Sequence, residues 1–178
     1  MIITDREKLI RDLIAERIEQ ENQAPFKDTK MVIRYAAMEE MLALSRWKLF
    51  EEAFEFLSAT NPEEQMKELA DVSDGLTLVC AIHQFDPDVI RSLRREKWFA
   101  GEPGLVALQT SLVGASLAFV HETALDRLAG QLSDIYELFD LICATSKYFH
   151  ADRLKKFSDD KREKNGWFDR RAVLVKSP

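Results

Sequence analysis

The pattern of this 178-residue chain predicts an all-α protein, a helical bundle built from two tandem related halves. Three observations carry that expectation. Apolar residues recur at helical spacing along most of the chain. Only 6 Gly and 5 Pro punctuate it, which favours long helices over many short strands. And ELADVSDGLTLVCAI at 68–82 aligns without a gap on QLSDIYELFDLICAT at 131–145, an offset of 63.

Taken in order, Asp5 is placed to cap a first helix running to about Glu21, with Leu9, Ile10, Leu13, Ile14 and Ile18 along one side. Asn22 to Pro25 breaks it. A long second helix is expected from about Asp28 to Ala59. Asn61-Pro62-Glu63-Glu64 combines a cap, a first-turn proline and a third-position acid, and so starts a third helix ending near Phe85. Asp86-Pro87 opens a fourth toward Phe99. After the loop Ala100-Gly-Glu-Pro-Gly104, helical patterning resumes at 105–121, 125–149 and 151–164. Asn165-Gly166 makes a turn, and Ala172-Val-Leu-Val175 reads as extended. The repeat places one half at 1–104 and a degenerate second half with a C-terminal tail at 105–178. Arg95-Glu-Lys-Trp-Phe99 also resembles Arg162-Glu-Lys-Asn-Gly-Trp-Phe168, with two residues inserted.

Composition narrows the function. With 46% hydrophobic and 31% charged residues the chain is that of a globular protein. A net charge of −6 argues against a nucleic-acid polymer as partner. No apolar run reaches the roughly 18 residues of a membrane span, and the N-terminus lacks the apolar core of a signal peptide. The expected location is cytoplasmic. Cys80 and Cys143 sit in apolar helical segments as free thiols, and His83, His121 and His150 form no ligand pattern.

The chemistry is expected between Glu51 and Asp74. Glu51, Glu52 and Glu55 fall within about a third of a helix circumference, with Phe50, Phe54 and Leu57 on another face suited to the core. Glu68 and Asp71 form an i,i+3 pair on the next helix, and Asp74 extends the row. Twelve residues separate Glu55 from Glu68, enough for a turn and an antiparallel return. Clustered carboxylates suit Mg²⁺, a hard ion that takes oxygen ligands. At the offset of 63, Glu51, Glu52, Glu55 and Glu68 become Gly114, Ala115, Ala118 and Gln131, while Asp71 and Asp74 stay acidic as Asp134 and Glu137. The stretch Gly114-Ala-Ser-Leu-Ala118 reads as a buried, close-packed helix contact.

These residues resemble the all-α NTP pyrophosphohydrolase superfamily, which includes MazG and phosphoribosyl-ATP pyrophosphohydrolase. The signature of an ExxE helix followed by an ExxD helix reads here Glu52-Ala-Phe-Glu55 and Glu68-Leu-Ala-Asp71. Lys8-Leu-Ile-Arg-Asp12, Lys48-Leu-Phe-Glu-Glu52 and Lys161-Arg-Glu-Lys-Asn-Gly-Trp-Phe168 are similar to flanking motifs of one MazG-like group. The likeness covers 5–99 and the tail from 161.

The resemblance implies a fold, a cofactor and a reaction. Mg²⁺, or Mn²⁺, would be held by Glu52, Glu55, Glu68 and Asp71, with Glu51, Glu52 and Glu55 as the catalytic acids. Lys8, Arg11, Lys48, Asp74, Arg95, Lys97, Lys161 and Arg162 would bind the substrate. A nucleoside triphosphate would leave as monophosphate and pyrophosphate, a role in nucleotide-pool control. Trp47, Phe54, Trp98 and Trp167 are candidate stacking residues for a base. Family members are dimers or tetramers, so a homo-oligomer or an internal pseudo-dimer is implied. Two alternatives stay open: phosphoribosyl-ATP as substrate, and a non-catalytic helical binding or assembly module.

Overall fold

A computed structural model describes residues 7–23, 31–93 and 102–175. The helix starts expected at Asn61-Pro62 and Asp86-Pro87 form where the sequence places them. Helix α2 spans Met38–Ser58 and α3 spans Pro62–His83, joined by the Asn61 cap, whose side chain accepts from the Glu64 amide at 3.0 Å. Helix α5 spans Leu105–His121 and α6 spans Leu125–Thr145. Before these hairpins lies α1 at Asp12–Asn22; the short α4 at Pro87–Ser92 sits between them, and α7 at Ala151–Asn165 follows. Asp86 caps α4 by accepting from the Asp88 amide at 2.9 Å.

The departures from expectation lie at the ends. The first helix does not begin near Asp5, which falls outside the described residues. Glu7–Leu9 is strand β1, and helix begins at Asp12. The long second helix is divided: Val32–Tyr35 is strand β2, and α2 starts only at Met38. Ala172–Val175 is strand β3, extended as expected. The three strands form an antiparallel sheet in the order β1-β3-β2, with Lys8 opposite Leu174 and Ile33 opposite the same residue on the other side. Helical spacing in these short segments was outweighed by pairing across the sheet, the usual way tertiary context overrides local pattern. Helix α6 also stops at Thr145 rather than Phe149, and α4 is described only to Ser92.

The main core lies between the hairpins. Leu49, Phe56, Leu69, Leu76, Leu112, Phe119, Leu132 and Ile135 are among its buried residues, each contributing roughly 2 kcal/mol of apolar burial. A smaller core under the sheet joins Leu9, Met41, Leu44, Phe168 and Val173. Two sequence readings of the faces are corrected. Phe54 is exposed, and Phe50 and Leu57 are half-buried, because Leu49, Ala53 and Phe56 take the core positions of α2. The stretch at 114–118 is not a buried contact: Ser116 is buried, but Gly114, Leu117 and Ala118 are exposed, and a Cβ on Gly114 would meet nothing within 4 Å.

The two hairpins keep the offset of the repeat. Helices α2 and α5 end at Ser58 and His121, and α3 and α6 begin at Pro62 and Leu125, each pair 63 apart. Helix α2 packs on α5, α3 packs on α7 and α4 packs on α6. Arg46 on α2 donates to the Phe119 carbonyl at 3.4 Å and the Glu122 carbonyl at 2.6 Å. Gln109, at the Arg46 position of the second hairpin, donates to the carbonyl of Phe56, at the Phe119 position of the first, at 3.1 Å.

Candidate metal centre

The α2–α3 hairpin brings the acids together. Helices α2 and α3 approach closely at Gly75, where a Cβ would lie 3.2 Å from Leu49 Cδ1 and 3.4 Å from its Cα. Glu52, Glu55 and Glu68 then each offer a carboxylate oxygen, all within 4.8 Å of one another. Glu52 is buried, and Glu55 and Glu68 are half-buried at the mouth. Burial pushes the Glu52 carboxyl up to about 7; Lys48 opposes that rise, and Asp71 and Glu55 add to it. Burial raises Glu68 as well, helped by Asp71. In both, removal from water disfavours the charged form more than the nearby lysines favour it.

Asp71 and Asp74 form a second row behind the trio, buried on α3. Asp71 Oδ1 accepts from Arg11 Nη2 at 3.2 Å, and its Oδ2 is bound by Lys161. Asp74 accepts from Arg11 at 2.7 Å, from Arg162 at 2.8 Å and from Ser158 at 2.5 Å. Arg11 itself is buried and packed under Trp167 and Phe168, its guanidinium 5.0 Å from the Phe168 ring centre.

Two segments from opposite ends of the chain supply these cations. Strand β1 and the start of α1 carry Lys8 and Arg11, while α7 lies along α3 and presents Ser158, Lys161, Arg162 and Asn165. The tail is fixed by Gly166, whose φ of 76° lies in the left-handed region. A Cβ there would also meet the Leu13 backbone nitrogen at 3.0 Å. Asp12 then accepts from the amides of Asp169 and Arg170 at 2.9 and 3.0 Å.

Glu51 stands at the rim between Lys8 and Lys48. Burial works against its carboxylate, but Lys48 and Lys8 outweigh that and hold it below the usual range. Lys48 also pairs with Glu52. Burial disfavours the Lys48 ammonium, and the two glutamates more than compensate, so its proton is held more tightly than usual.

A cleft of about 200 Å³ opens on the trio, lined by Glu52, Glu55, Glu68 and Asp71 together with Lys8, Arg11, Lys48 and Lys161, and by Phe168 and Asn165. Four carboxylates face four cations, so a dication would leave the lining with a net positive charge. The volume is below the roughly 300 Å³ at which pockets enclose a drug-sized ligand. It suits a phosphate chain, with any larger group reaching outward.

The structure thus draws together eleven of the sequence-selected residues: Glu51, Glu52, Glu55, Glu68, Asp71, Asp74, Lys8, Arg11, Lys48, Lys161 and Arg162. Arg95, Lys97 and Trp98 lie outside the described residues. Of the stacking candidates, Trp167 lies against Arg11 and Arg162, while Trp47 packs against Phe50 and His121 and Phe54 tilts against Phe50. Ser158 and Asn165 were not singled out from the sequence. The signal was present as a stripe on α7, where Leu154, Ser158, Lys161, Arg162 and Asn165 repeat at helical spacing.

No protein-family model, curated protein or solved structure matches the chain. Among the described residues, no helix is long and apolar enough to cross a membrane.

Proposed function

We propose that the chain is a Mg²⁺-dependent nucleoside triphosphate pyrophosphohydrolase whose site lies on the α2–α3 hairpin. One observation carries the reading: three carboxylates from two antiparallel helices converge within 4.8 Å in a cleft that four cationic side chains also line. Their donor chemistry fits a hard divalent ion, with oxygen ligands only and room for water. Glu52 and Glu68, both raised by burial, are the groups such an ion would return to the carboxylate form. When bound, the ion supplies Lewis-acid charge and lowers the pKa of coordinated water.

The chain's own residues do the rest. Glu52, Glu55 and Glu68 would hold the ion, with Asp71 as the fourth ligand once its Oδ2 is freed from Lys161. Lys8 and Lys48 orient the phosphate chain and offset its charge, and Arg11 holds Asp71 and Asp74 in place. Glu51, kept ionised by Lys48 and Lys8, is available to accept a proton from the attacking water. Trp167 and Phe168 pack against the Arg11 guanidinium.

The same reading gives the second hairpin a scaffold role, the two halves being related by an internal pseudo-twofold. The reciprocal contacts Arg46 to Phe119 and Gln109 to Phe56 support it, since a twofold makes each contact occur twice with roles exchanged. The packing of α3 on α7 and of α4 on α6 supports it in the same way.

The test is direct. Purified protein is incubated with each NTP and dNTP and Mg²⁺, and the products are separated. Monophosphate with pyrophosphate is expected, falling by at least about a hundredfold in Glu52→Gln and Glu68→Gln. Release of single phosphate, or equal rates with and without Mg²⁺, overturns the proposal. Complementation of a histidine auxotroph distinguishes phosphoribosyl-ATP as the substrate.

A further inference from the structure

One ligand of the acidic site is already in use. Asp71 projects toward the trio, yet its Oδ2 is bound by Lys161, whose side chain reaches in from α7 with 39% of its surface exposed. Its Oδ1 is held separately by Arg11, which is buried on all sides. The two oxygens therefore differ in kind. The Arg11 contact is a fixed support packed under Trp167 and Phe168. The Lys161 contact is made by a flexible chain anchored on the solvent side of the cleft.

Resting on the metal-site reading above, we propose that Lys161 is an exchangeable counter-ion: it neutralises Asp71 Oδ2 without metal, cedes that oxygen to the divalent ion, and swings its ammonium onto the substrate's phosphates. Three features favour this exchange over a static ion pair. Lys161 lines the same cleft as the trio, so the cavity is within reach of its side chain. Asp74, one turn along α3, is satisfied without Lys161, by Arg11, Arg162 and Ser158, so the second row survives its departure. Arg11 keeps Asp71 oriented through Oδ1 while Oδ2 changes partner. The consequence is an order of binding. Phosphates meet a full set of cations only after the metal has released Lys161.

The exchange makes two opposite demands on one side chain, and that is its signature. Mn²⁺ affinity is measured by calorimetry, without nucleotide, for the full-length wild type, Lys161→Met, Asp71→Asn and the double variant. Imidodiphosphate is then titrated into each Mn²⁺-saturated protein. Lys161→Met is expected to bind Mn²⁺ about tenfold more tightly, because a charge-assisted bond no longer competes for Oδ2. It is expected to bind imidodiphosphate about tenfold more weakly. The gain in Mn²⁺ affinity disappears in the Asp71→Asn background.

A gain that persists in that background reflects only the general field of the lysine and overturns the exchange. So does an unchanged imidodiphosphate affinity, or a Lys161→Met variant that binds Mn²⁺ no better than wild type. Wild-type protein that binds no Mn²⁺ removes the metal site itself, and the exchange with it. Lys161→Gln replaces the Met variant should that one fail to fold, and is held to the same outcomes.

Discussion

Arg11→Met is the sharpest probe of how the site is built. Among the described residues Arg11 is the one cation that touches both acids of the second row, and its side chain is 7% exposed, against 4% and 3% for Asp71 and Asp74. Methionine keeps the apolar packing under Trp167 and Phe168 but removes the charge. Asp71 and Asp74 would then rely on Lys161 and Arg162, whose side chains are 39% and 41% exposed. Water screens such partners, and an exposed pair contributes at most about 1 kcal/mol. Breaking a buried pair costs roughly 3 to 5 kcal/mol. With two screened cations remaining, the low end applies, about 3 kcal/mol, or some 6 to 12 °C in Tm for a chain of this length. Urea denaturation in EDTA at pH 7 measures it. Mg²⁺ should recover more stability in Arg11→Met than in wild type, because a dication near Asp71 replaces the lost charge. Arg11→Lys, which keeps the charge and loses the planar fork, should fall between the two. A loss under about 1 kcal/mol for Arg11→Met would show that the acids are not desolvated as described.

Two further outcomes follow from the same geometry. Glu52 has its carboxyl raised from 4.5 to about 7. In EDTA the folded state therefore keeps a proton that the unfolded chain releases between these values. Stability is fullest near pH 4.5 and falls as pH rises through 7, by up to about 3 kcal/mol from this group. Glu52→Gln should flatten that slope in denaturation curves taken from pH 5 to 8, and an equally steep slope in the variant would assign the loss elsewhere. Gly75→Leu should cost about 3 kcal/mol and weaken Mn²⁺ binding together, since a branched chain meets Leu49 at a point where α2 and α3 lie close together. Loss of stability with Mn²⁺ affinity intact would separate that contact from the trio's geometry.

The sequence by itself determined the helical hairpins and the acids they carry. Asn61-Pro62 and Asp86-Pro87 act through caps and a fixed φ that need no distant partner, so their helix starts were legible. The pairing of Glu52 and Glu55 with Glu68 needed only helical spacing and a short connection, both local quantities. Tertiary structure alone decided the rest. Leu9 and Ile33 sit in segments with helical spacing, and became strand because β3, more than 130 residues away, offers both an edge. Glu52 is buried and Phe54 exposed because the approach of α3 and α5, not the amphipathicity of α2, sets which face is enclosed. Above all, the partners of Asp71 and Asp74 are Arg11, Ser158, Lys161 and Arg162, which lie on elements from opposite ends of the chain. Such long-range charge pairing has no periodic signature, because Coulomb attraction depends on where the fold brings the groups and not on their order along the chain.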